Sequence, residues 1–390
     1  DSIFAWAAVA SFVASLTDYA SAVAKGLKQR ASVAAMTFLQ PLLYVVIIVY
    51  FGMARQATPE TVYMALLLSF VVVMGGYFIP MRQAVPGPDP RAVSWGYLRQ
   101  VMAPLVSLFT LGILNQIFIT LATLILGEAH MFETAAFFNA PFSLVTMTAT
   151  LGAVVVSTVF YPDVVEAIAH DQRELAASLL DTFLRSSLVV LALATAATLV
   201  YADFVVDILY TPEYQASIPS LAITAPLIAV LLLREFLMFG LFASRKISWA
   251  MKATAVQVVL VAVGTVASLL AGDAYVLAGL SVAHVLASVV GMLLMWRDMK
   301  RLVPFQVSPS LVATTILAAT LLMFFGRAIA GQFFSDANVL IVITGVIISS
   351  PFCLVALAWL VFDRRDRARF WRAFRESVAG WAMRLRSARR

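Results

Sequence analysis

Long apolar runs alternate with short polar connections from one end of the chain to the other. Eleven runs reach about 20 residues or more, enough to cross about 30 Å of hydrocarbon at about 1.5 Å per residue of helix. They occupy roughly 3–24, 31–52, 61–81, 102–127, 134–160, 186–210, 218–244, 249–271, 274–296, 309–330 and 337–362. Membrane β-strands would instead show segments of about ten residues with alternating hydrophobicity. The pattern predicts an all-α integral membrane protein with about 11 transmembrane helices. The sixth helix is expected to stop near Tyr201, leaving 204–210 as a short extension along the membrane interface.

The connections are not alike. Lys25, Lys28 and Arg30 follow the first span, and Arg82, Arg91 and Arg99 the third. Arg173 and Arg185, then Arg245, Lys246 and Lys252, then Arg297, Lys300 and Arg301 follow the later odd-numbered spans. The intervening connections hold only Arg55 and Arg327 among acids such as Glu60, Glu128, Asp203, Asp207 and Asp273. Apart from those two and Arg234, inside a span, all of the 27 basic residues lie on the first side or at its interface. The positive-inside rule makes that side cytoplasmic. A multi-pass protein of the cytoplasmic membrane is expected, with Asp1 on the outer side and the C-terminus inside.

Composition works by exclusion. The 390 residues are 62% apolar and 12% charged, with a mean hydropathy of +0.94. A soluble protein carries about 25% charge, and half of that cannot cover a body of this size. Cys353 alone can make neither an internal disulfide nor a thiolate zinc site. His130, His170 and His284 show no metal-ligand spacing, and no Gly-rich phosphate loop, GxSxG or HExxH occurs. No metal, cofactor or catalytic residue is expected, and no nucleic-acid partner. A membrane-embedded glycan polymerase or ligase is a weaker alternative, because the outer connections are too short for a catalytic domain.

Gly87 among Pro86, Pro88 and Pro90 marks a rigid break between the third and fourth spans. The expected organisation is a remainder of an N-terminal lobe over 1–82, a cytoplasmic linker over 83–101 and a six-helix lobe over 102–301. Two additional helices then occupy 305–362 and a basic tail 363–390. In that tail Phe370, Trp371, Phe374, Val378, Trp381 and Leu385 fall at helical spacing among arginines. That composition suits an amphipathic helix on anionic membrane lipids, or a helix that docks a partner. The chain opens at Asp1 directly into an apolar run, without Met or a charged leader, so a cut N-terminus is expected.

The sequence also repeats. At an offset of 217 residues Asp18 meets Glu235, Lys28 meets Arg245, Thr37 meets Thr254 and Gln40 meets Gln257. Each set is an intramembrane acid, a basic turn, then a Gln within the next span. Four matches in one register favour a duplicated helical hairpin, as transporters often carry. Spans one and two would then correspond to seven and eight, with three helices missing from the first lobe.

The stretch 207–221, with Asp207, Tyr210, Tyr214, Ala216 and Leu221, resembles the turn between the ninth and tenth helices of polysaccharide transporters of the O-antigen flippase type. These belong to the multidrug/oligosaccharidyl-lipid/polysaccharide flippase superfamily. Thr211 and Pro212 stand where that family usually has Gly. Phe137 to Ala140, Tyr161 with Pro162, and Arg245 with Lys246 are similar to further family positions in the same order. Asn115 and Gln116 stand where the family often carries a mid-span acid, which takes ion coupling away from that site. The resemblance implies a two-lobe, inverted-V transporter bundle with an incomplete first lobe. It implies a flippase for a polyprenyl-diphosphate-linked oligosaccharide in surface polysaccharide synthesis, with polymerase and chain-length machinery as partners. An ion-coupled multidrug antiporter of the same superfamily is the alternative.

Arg234 and Glu235 are the strongest local signal. A charge at the bilayer centre costs about 2.5–3.5 kcal/mol on insertion scales. Adjacent helical residues point about 100° apart, so the two are not expected to neutralise each other. Two readings stay open: a hydrated cavity where Arg234 attracts a diphosphate, or an interhelical ion pair. Asp18 and Glu235 are candidates for ion coupling. Asn115, Gln116, Gln40 and Gln257 either contact sugar hydroxyls or join helices by hydrogen bonds. Lys25 and Arg82, near the inner mouth, are topology charges that could also meet an anionic lipid first. His284 reads as a packing residue.

Overall fold

The computed structural model describes residues 29–53, 58–84, 95–159, 161–333 and 338–362, with scattered residues of 1–28. Asp18, Lys25, the break at 86–90 and the tail from 363 onward lie outside the described residues. The order is α1 (Arg30–Met53), α2 (Pro59–Ala84), α3 (Trp95–Glu128), α4 (Phe132–Val159), α5 (Tyr161–Ala169), α6 (Arg173–Val200) and α7 (Ala202–Leu209). A 3-10 turn, Pro212–Ser217, leads into α8 (Ile218–Thr224) and α9 (Leu227–Ala243). Then come α10 (Ile247–Leu270), α11 (Asp273–Leu302), α12 (Pro309–Phe333) and α13 (Asn338–Val361).

The protein is an all-helical membrane protein. Among the described residues eight helices are long and apolar enough to cross a bilayer, or nine when α8 and α9, bent by 48° at their junction, are one span. Helix α4, at 28 residues, also has the length of a span. Spans two to eleven each coincide with a helix or, for the seventh, with that bent pair. The sixth span ends at Val200, followed by a short α7, as the sequence predicts. It starts earlier than 186, however, because Ala176, Leu180, Phe183 and Leu184 continue the buried face while Arg173, Glu174 and Asp181 interrupt the apolar run.

The chain divides into two compact units, one of 1–106 with 151–171 and one of 107–150 with 172–390. In the first, α1 packs on α2, and Ala20, Ala24, Val33, Val73 and Tyr77 form a small core capped by Met36. In the second, α11 packs against α8, α9 and α10, while α12 and α13 pack on each other and on α6.

Close approach between α10 and α11 depends on small residues. A Cβ on Gly264 would lie 2.4 Å from the Ala283 Cβ, and one on Gly279 2.3 Å from the Ser268 hydroxyl. Small side chains at such seams let backbones approach where lipid gives no hydrophobic driving force. Hydroxyls along these spans return to their own helix: Thr254 donates to the Ala250 carbonyl at 3.0 Å and Thr265 to Val261 at 2.7 Å. Such back-bonding satisfies a polar group that lipid cannot.

The α12–α13 pair is tied to α6 near both membrane faces. At one, the Asp181 carboxylate accepts the Gln306 amide at 2.7 Å and the Val307 amide at 2.9 Å. At the other, Arg327 of α12 donates to the Val200 carbonyl and pairs with Asp203.

Candidate functional site

Arg234 lies within α9, 6% exposed. Its Nη2 donates to the Glu235 Oε1 at 2.6 Å and its Nη1 to the Gln257 Oε1 at 3.2 Å. The Gln257 amide nitrogen then donates to the Ser288 carbonyl at 3.4 Å. A polar relay thus runs from α9 through α10 to α11. Gln257 is fully buried, and Gly291 makes room for it: a Cβ there would stand 2.2 Å from the amide nitrogen.

Contrary to the expectation from their spacing, Arg234 and Glu235 do neutralise each other. The angle of about 100° separates Cβ directions; the long Arg stem curls back and brings its guanidinium to the neighbouring carboxylate. The remaining guanidinium contacts are Gln257 and the face of Phe118, whose ring centroid lies 5.5 Å from Cζ. In this conformation the charge is held inside the helix bundle.

Phe118 also belongs to an aromatic cage. The His284 ring centroid lies 5.7 Å from Phe118, 4.9 Å from Phe138 and 4.8 Å from Phe142. His284 Nδ1 is 2.9 Å from the Leu280 carbonyl, which can only accept, so this nitrogen carries the proton. Three buried atoms near the relay have no hydrogen-bond partner among the described residues: Arg234 Nε, Ser288 Oγ and Asn115 Oδ1. Ordered water is the usual partner for such atoms.

The other expected site residues are placed as follows. Asn115 is half-buried and Gln116 exposed on α3; no hydrogen bond joins either side chain to the relay among the described residues. Gln40 is half-buried in the first unit and donates to the Ser69 hydroxyl of α2 at 3.2 Å. The repeat register has a physical counterpart: Gln40 and Gln257 each reach the following helix, while Thr37 and Thr254 each bond the carbonyl four residues back. Arg82 lies on α2, with its side chain outside the described residues. Asp18 and Lys25 are outside them too.

The family-like stretches pack together. Tyr210 donates to the Ala140 carbonyl at 2.9 Å, beside Pro141 of α4. Tyr214 stacks on Tyr210 at 5.3 Å and meets Phe137 edge-on at 5.6 Å. These tyrosines serve as a clasp between α4 and the turn after α7.

A second ion pair went unseen in the pattern of runs. Arg327 grips Asp203 with both terminal nitrogens, at 3.0 and 2.5 Å, over the ring of the buried Tyr201. Burial pushes the Asp203 carboxyl up, but the hydrogen bond and charge of Arg327 outweigh it and hold it below the usual carboxylate value. The signal available was a base near the end of a span and an acid just past another. Nothing in sequence spacing pairs two residues 124 positions apart.

No protein-family model and no curated relative matches the chain in sequence. Solved structures do match in shape. One is the Vibrio cholerae MATE transporter VcmN in a mutant form, with a TM-score of 0.57, 14% identity, and 76% of this chain and 68% of that chain covered. Another is the lipid II flippase MurJ in an inward closed conformation, with a TM-score of 0.53, 11% identity, and 83% and 68% covered. The helices therefore follow the fold of that MATE transporter and that lipid II flippase.

Proposed function

We propose that the chain is part of a transporter that moves a polyprenyl-diphosphate-linked oligosaccharide across the cytoplasmic membrane by alternating access. The observation that carries this reading is a guanidinium stationed in a membrane span and held by one carboxylate and one amide. Both are partners that an entering diphosphate could replace. With Glu235 ionised, the Arg234–Glu235 pair is neutral and offers an anion little. A cation or proton taken up at Glu235 would free Arg234 for the diphosphate, which links ion movement to substrate binding.

In this reading Gln257, Gln40, Asn115 and Gln116 meet sugar hydroxyls, while Lys25 and Arg82 make first contact with the anionic lipid at the inner mouth. Asp18 is the second ion-coupling candidate. The basic tail rests on anionic lipids at the cytoplasmic face.

The test is flipping of a fluorescent polyprenyl-diphosphate oligosaccharide in proteoliposomes. Arg234→Ala should abolish flipping while the protein still inserts, and Arg234→Lys should keep part of it. Unchanged flipping by Arg234→Ala at equal insertion would reject the role. Glu235 also favours a second reading, since a carboxylate within a span suits cation coupling in a multidrug antiporter. Ion-dependent dye efflux without lipid flipping would select that reading.

A further inference from the structure

A cleft of about 370 Å³ opens between α7, α12 and α13. Its polar part is Asp203, Asp207 and Arg327, and its apolar wall is Phe204, Phe324, Ala328, Gly331 and Val342. The charge pattern along the chain assigns this end of the helices to the outer face. The cleft thus pairs charged groups with an apolar wall at a membrane interface.

The charges are unevenly used. Arg327 has five N–H donors; three go to Val200 and Asp203. Its Nε–H and one Nη2–H have no partner among the described residues. Asp207 is exposed, one helical turn beyond Asp203, and its carboxylate has no partner among the described residues. Two carboxylates against one guanidinium leave the cleft with one excess negative charge. An occupant must bring a cation to Asp207, accept hydrogen bonds from Arg327, and lay an apolar part along Phe324 and Val342.

We infer that this cleft binds the headgroup of an ethanolamine phospholipid. The primary ammonium donates to Asp207, the phosphate accepts from the two free Arg327 N–H groups, and an acyl chain follows the apolar wall. A choline headgroup carries the same charge but has no N–H to donate, so it loses the bond to Asp207. An anionic glycerol headgroup meets the excess negative charge. The inference stands apart from the proposed transport function, since it concerns a lipid resident at the outer end of the additional helix pair.

The test uses the full chain in nanodiscs of equimolar phosphatidylethanolamine, phosphatidylcholine and phosphatidylglycerol, with tightly held lipid measured by native mass spectrometry after mild delipidation. Phosphatidylethanolamine should be retained over phosphatidylcholine by about tenfold, as a hydrogen bond between charged groups allows. Asp207→Asn, at an exposed position, should bring that ratio close to unity. Gly331→Leu, where a Cβ meets nothing within 4 Å, should fill the cleft and lower retention of every lipid with the charges intact. Equal retention of the ethanolamine and choline lipids by the natural chain overturns the inference. So does preference for the anionic lipid, or a ratio that Asp207→Asn leaves unchanged.

Discussion

Two arginines meet a carboxylate inside the second unit, under opposite conditions. Arg234 and Glu235 pair within the bundle, with side chains 7% and 21% exposed. Arg327 and Asp203 pair at a helix end, 36% and 45% exposed. The geometry is similar, with closest approaches of 2.6 and 2.5 Å. What differs is the alternative open to each charge once its partner is gone. Water can reach the half-exposed Arg327, whereas the partners left to the buried Arg234 among the described residues are Gln257 and the face of Phe118. The lesson is that an ion pair matters by the environment it leaves behind more than by its own length.

The sharpest way to break the comparison is Glu235→Gln, which leaves the buried guanidinium uncompensated. It should cost about 3 kcal/mol of unfolding free energy, in the range seen when one partner of a buried pair is removed. Thermal unfolding in a fixed detergent measures this, and a change comparable to that of Asp203→Asn would show that water already reaches Arg234. Next in size is Gly291→Ala, whose added methyl collides with Gln257. Overpacking of this kind costs about 1–3 kcal/mol, and the same unfolding assay should find most of the loss absent when Gln257→Ala is already present. Non-additivity of the double variant is the diagnostic.

The smallest effect is expected at the outer pair. Asp203→Asn should cost under about 1 kcal/mol, since solvent screens a half-exposed pair. Its pH dependence has a definite sign. A carboxyl held below its ordinary value of 3.8 stabilises the fold above that value and loses the contribution as pH falls through its lower, folded value. Acid titration of unfolding should therefore show a steeper loss below pH 3.8 in the natural chain than in Asp203→Asn. Parallel curves would mean that the pair contributes nothing.

The helices were legible because lipid imposes one demand on every span, a long run of apolar residues with its backbone bonds closed internally. The start of α6 was not, because Arg173, Glu174 and Asp181 interrupt the run on one face while Leu180 and Leu184 continue it on the other. Arg234, Glu235 and Gln257 were legible as polar residues where lipid should be, and the repeat register pointed to Gln257. Their mutual arrangement was hidden by reasoning from Cβ directions alone. The cage around His284 draws on three helices, and Asp203 meets Arg327 across 124 residues.

The 48° bend between α8 and α9 separates two helical pieces with different contacts. Before it, Ser220 shares a hydrogen bond with Ser281 of α11 at 2.8 Å. After it, α9 carries Arg234. Pro226 at the break has no N–H, so the helical ladder is short of a rung there. The two pieces thus answer to different neighbours, one bonded to α11 through Ser220 and the other to α10 through Arg234, with a proline where they meet.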